Sequence, residues 1–116
     1  MDSSSILESI KRLLGVAEHD DGFDQEIKDN INAEFLTLNQ LGVGPEEGFS
    51  INGPNDRWED FTDNLKIREA VKQFIYLRVR LVFDPSASGT VSEAINSRIN
   101  ELVFRLNVQA EEDAES

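Results

Sequence analysis

No cysteine occurs in the 116 residues of this chain, and there is only one histidine, one tryptophan and one tyrosine. Without thiols there are neither disulfides nor thiolate metal sites, a composition compatible with a reducing compartment. With His19 as the sole imidazole, a nucleophile–base pair would have to join Ser to Lys or use paired carboxylates. HExxH, GxxxxGK[ST] and GxGxxG are all missing. No apolar run reaches the ~20 residues that a membrane span needs. The first residues, MDSSSILESIKRLLG, lack the basic n-region and small-residue cleavage site of a secretory signal. Positive charge is scarce too, with 11 Lys and Arg against 23 Asp and Glu, net −12. An acidic chain repels phosphate, which argues against tight adhesion to nucleic acid.

What the chain does have is helical periodicity. Its 39% hydrophobic content suits one globular domain, burying roughly two-thirds of its unfolded surface. Residues 65–83, LKIREAVKQFIYLRVRLVF, are the stretch the rest is organised around. Ile67, Ala70, Val71, Phe74 and Ile75 recur every three or four positions. The second half, YLRVRLVF, also alternates like a β-strand, but no Gly or Pro interrupts the run, so one continuous helix is predicted, ended by Pro85. Such a helix is apolar on most of its circumference and must be covered on most sides; one domain of this size covers it partly, and a neighbouring subunit could cover the rest.

Three further helices are predicted. A short one ends at Leu14, capped by Ser4 or Ser5 and stopped by Gly15. The second spans 23–41 with Phe23, Ile27, Ile31, Phe35, Leu38 and Leu41 on one face and Asp20, Asp21 and Asp24 at its start. Its other face carries Asn30, Asn32, Asn39 and Gln40, read as solvent-exposed. The last opens on a Thr90–Glu93 capping box and runs to about Val108, with a stripe of Val91, Ile95, Ile99, Leu102, Val103 and Leu106. The fold class is therefore all-α: a small four-helix domain over 1–108, with a long central loop at 42–64 and a disordered acidic tail at 109–116.

Charge divides along the chain. Residues 1–64 hold 15 acids and 4 bases, residues 65–108 hold 4 acids and 7 bases, and the tail adds 4 acids. The carboxylate pairs Asp20–Asp21, Glu46–Glu47 and Glu59–Asp60 sit in polar surroundings that do not raise a carboxyl pKa, so no catalytic residue is assigned. His19 lies among acids in a loop and reads as a solvated side chain rather than a metal ligand. Neither a metal nor a cofactor is expected. The expected site is an interface instead. Arg78 and Arg80 lie on the most apolar helix and would meet Glu46, Glu47, Glu59 and Asp60 of a neighbouring copy, unless Arg78 pairs within its own subunit and Arg80 is solvated. Trp58 or Phe61 would supply an apolar anchor, unless both pack into their own core.

Taken together, ILESIKRLLGV, FDQEIKDNINAEFLTLNQLGVGP, GFSI with the following WEDF, VKQFIYLRVRLVFDPSAS and INELVFRLNV resemble the small head–tail connector (adaptor) proteins of tailed bacteriophages. The likeness covers nearly all of residues 6–108. Order and spacing carry it, above all QLGVGP, W-x-D-F and the LxFDP end of the third helix. The resemblance implies a non-enzymatic virion protein at the head–tail interface, made in the host cytoplasm. It implies copies joined in a homo-oligomeric ring beneath the portal protein, extending the DNA channel and docking the next neck or tail-completion protein. DNA would pass without sequence-specific binding, and no membrane is involved. The competing reading is a cytoplasmic acidic helical regulator that binds a single protein partner.

Overall fold

A computed structural model describes residues 5–17, 19–83 and 89–115, the last three of these by backbone alone. Five helices follow one another: α1 (Ile6–Leu14), α2 (Asp24–Gln40), α3 (Trp58–Phe61), α4 (Leu65–Phe83) and α5 (Gly89–Glu115). Among the described residues the only extended pairing is an isolated bridge between Ser5 and Arg57. The four longer helices lie near their predicted places, and residues 75–83 are helical, as expected. Helix α4 is central, with α1, α2 and α5 packed against it. Its Val71, Phe74, Ile75, Leu77 and Val79 are buried. The alternation in YLRVRLVF is thus subordinate to burial on several sides.

Local chemistry sets the ends. The Ser5 hydroxyl accepts from the Glu8 amide at 3.3 Å, and Gly15 closes α1 at φ 82°. Helix α4 starts where the Asn64 side-chain oxygen accepts from the Lys66 and Ile67 amides, at 3.0 and 3.2 Å. Two predicted caps differ. Asp20 accepts from Gly22 rather than from α2, whose first residue follows Phe23 without a side-chain cap. Thr90 lies inside α5, one residue after its start, so it is not the cap. The expected stop at Pro85 lies outside the described residues.

The central loop is not loose. Val43, Ile51, Trp58 and Phe61 are all buried, and Phe49 packs against them. Phe35 of α2 has the rings of Phe49, Phe61 and Trp58 around it, with centroids 5.0, 5.1 and 6.4 Å away. Polar side chains clip the loop down. Asn32 donates to the Ile51 carbonyl at 3.0 Å and accepts from the Ile51 amide at 2.7 Å. Asn39 donates to the carbonyls of Pro45 and Glu46, both at 3.2 Å. On the other flank the Ser5 hydroxyl donates to the Pro54 carbonyl at 2.8 Å and the Ile6 amide to Asp56 at 3.0 Å. Asn32 and Asn39, read as solvent-exposed, therefore clip 42–64 to α2, whereas Asn30 bonds the Glu26 carbonyl of its own helix.

The QLGVGP turn has a physical account of the same kind. Gly42 takes φ 80°, and the Val43 amide returns to the Leu38 carbonyl at 2.9 Å, the Schellman arrangement that ends a helix. Gly44 sits at φ 91°, and a Cβ there would lie 2.5 Å from the Phe61 ring. Glycine is required twice over.

The expected disordered tail is corrected: α5 continues to Glu115. QAEEDAE contains no helix breaker, and its Ala and Glu favour helix. Gln109 and Ala110 remain half-buried, and Ala110 packs beside Gly42 and Leu106. A low apolar content does not melt a segment that extends a helix already docked.

Candidate partner-docking surface

The residues expected at an interface are distributed quite differently by the fold. Trp58 is 1% exposed and donates its indole N–H to the Ser9 hydroxyl at 2.9 Å. Phe61 is buried beside it. Both belong to the core of their own subunit and are not surface anchors, because the loop that carries them folds back over α2. Arg78 donates to Glu34 of α2 at 2.9 Å and stacks near the Phe74 ring, so its charge is satisfied internally. Asp60 accepts from the Arg57 amide at 3.0 Å and caps α3. Glu46, Glu47 and Glu59 are exposed. Arg80 has no carboxylate partner among the described residues; its guanidinium reaches only the Tyr76 hydroxyl, at 3.4 Å.

Arg80 instead lines a groove that sequence reasoning did not isolate. The groove, about 630 Å³, lies where the end of α1, the start of α2 and the end of α4 converge. Leu14, Val16, Tyr76 and Phe83 form its half-buried surface, with Leu13 and Phe23 standing more exposed. Phe23 and Phe83 meet edge to face, with centroids 6.3 Å apart. Arg12 and Arg80 both border the groove, and neither has a carboxylate partner among the described residues. Its wall mixes apolar side chains with the two guanidinium groups. Its parts come from three separate segments, and Leu13 and Phe23 read as core positions in their own helices, so only the assembled fold shows it.

A second uncovered surface belongs to α5. Ile95, Ile99, Leu102 and Leu106 face the core, while Phe104 is 59% and Val108 40% exposed. Those two lie on the opposite side of the helix, four residues apart and therefore adjacent on its surface. Arg98 and Arg105 are occupied by Glu101, at 3.1 and 2.6 Å. Glu111 and Glu112 follow, exposed.

No cluster of His, Asp and Glu able to hold a metal is present among the described residues, and His19 is exposed. No helix among them is long and apolar enough to cross a membrane. What the fold and its surface define is a small helical protein with apolar side chains exposed on more than one face. The family model described as phage connector protein matches residues 6–113, and the chain belongs to that family. Its role is accordingly that of a structural connector protein of the phage particle, in a family that is not enzymatic in kind. No curated protein and no solved structure matches the chain.

Proposed function

We propose that copies of this chain form a homo-oligomeric ring beneath the portal of the DNA-filled head. The ring extends the DNA channel and offers its far side to the next neck or tail-completion protein. Family membership supports the setting. The observation that carries assembly is the pair of uncovered apolar surfaces, the α1–α2–α4 groove and the outer side of α5. They are unlike each other, and unlike surfaces that meet give head-to-tail contacts, which close into rings when the rotation permits. The net charge of −12 suits a channel wall past which DNA slides without sequence-specific binding.

Light scattering after size exclusion, with and without purified portal, tests this directly. Rings, or concentration-dependent growth that portal completes, are expected, and electron micrographs of the portal complex should show an added collar. A chain that stays monomeric or dimeric and ignores portal would point to the single-partner regulator instead.

A further inference from the structure

Helix α4 separates the groove from the outer side of the α5 end within one subunit. The α5 end packs at the start of α4, where Leu106 lies beside Ile67 and Ala70. The groove lies at the other end, at Tyr76, Arg80 and Phe83. At 1.5 Å per residue, Ile67 and Phe83 are about 24 Å apart along the helix. A subunit that keeps this fold cannot place the end of its own α5 in its own groove.

We propose that the groove receives the outer face of the C-terminal half of α5 from a second copy. Phe104 and Val108 pack among the groove's apolar side chains, and Glu111 and Glu112 meet Arg12 and Arg80. This contact deepens the ring reading and rests on it. Charge complementarity selects the occupant: two arginines without carboxylate partners among the described residues on one side, and two exposed glutamates beside an apolar pair on the other. The helix adds an independent argument. Acids at a helix C-terminus oppose the macrodipole, and the last turn of α5 contains no basic residue to offset them. Cations from a neighbour relieve that conflict. The contact is heterologous, because groove and helix end are different surfaces, so every subunit uses both.

Because the chain has no cysteine, single cysteines report on this geometry cleanly. Leu13→Cys and Val108→Cys chains, mixed and treated with a short bismaleimide, should cross-link to each other, while neither alone should give a dimer. Both substitutions fall on exposed side chains, so folding is retained, which circular dichroism checks. Arg80→Glu should weaken self-association on the order of tenfold, and Glu112→Arg in the partner should restore it. Rings that form on portal without the Leu13–Val108 cross-link, or that tolerate Arg80→Glu at every salt concentration, overturn this contact and leave the ring standing. So does an Arg80→Glu ring that has lost only the next neck protein. Wild-type chain that never oligomerises, with or without portal, overturns the ring and this contact together.

Discussion

At the scale of single residues, Lys11 shows how a polar group is kept inside a small core. Its side chain is 1% exposed, and its amine lies 2.8 Å from Asp24 and 3.9 Å from Glu8. Burial by itself lowers the amine's pKa, but the Asp24 hydrogen bond and the charges of Asp24, Glu8 and Asp20 outweigh it, so the pKa rises above the ordinary 10.5. A raised folded-state pKa stabilises the protein fully below pH 10.5, and that contribution is lost as pH climbs through the folded value. Asp24→Ala, which leaves the buried amine without its nearest partner, should cost about 1.5–3 kcal/mol in urea unfolding at neutral pH. Lys11→Met should cost less, since it removes the buried charge along with its needs. The reverse ranking would show that the pair is not what holds α1 to α2. Gly44 gives a second test. Gly44→Ala combines positive φ with a Cβ 2.5 Å from the Phe61 ring, so a loss of about 1–3 kcal/mol is expected. An unchanged melting midpoint would mean that the turn has other conformations open to it.

At the scale of elements, legibility followed repetition. Helices α2 and α4 were readable because Ile27, Ile31, Phe35 and Leu38, or Val71, Phe74 and Ile75, repeat at helical spacing and are buried as that spacing demands. The central loop resisted the same reading. Its order depends on Asn32 and Asn39, whose partners stand 19 and 6–7 residues away, and no local pattern announces such a clip. The end of α5 is not legible from composition alone, because its order comes from the docked helix it prolongs. Two consequences follow for elements. Ile75→Ala and Leu102→Ala should each cost about 2–5 kcal/mol in equilibrium unfolding, as truncation in a packed core does. Either one costing under 1 kcal/mol would argue that α4 and α5 are not packed together as described. Truncation after Ala110 keeps the half-buried Gln109 and Ala110, so thermal stability of the free subunit should barely change. A drop of more than a few degrees would place the removed residues in the fold of the free subunit.

At the scale of the whole molecule, the candidate site was legible only in its kind. Acidic composition and missing catalytic motifs pointed to a non-enzymatic protein, and the order of segments pointed to the connector family, which the family match supports. The particular residues were not legible. Trp58 and Phe61 suit an anchor or a core by type, and the loop turns them into the core; Leu13, Phe23, Phe104 and Val108 have nothing in their local spacing to mark them, yet the fold leaves them open. Whether a given apolar residue is covered depends on how helices are placed against one another. Local spacing does not carry that information.

The clip between the start of α1 and the 54–57 turn has a bearing on how the molecule opens. It joins positions 49 residues apart through the Ser5 hydroxyl, and the Trp58 indole reaches Ser9 across the same separation. A nine-residue helix does not persist alone in water, so α1 exists only while docked. Detaching it breaks the bonds at Ser5, Ile6 and Ser9 in one event and removes one wall of the groove. Hydrogen exchange should therefore show the amides of Ile10 and Lys11 and the Trp58 indole, each corrected for its intrinsic rate, sharing one opening free energy, lower than that of Phe74 and Ile75 in the middle of α4. Clearly separate opening free energies for Ile10 and the indole would mean that α1 frays by steps instead of detaching whole.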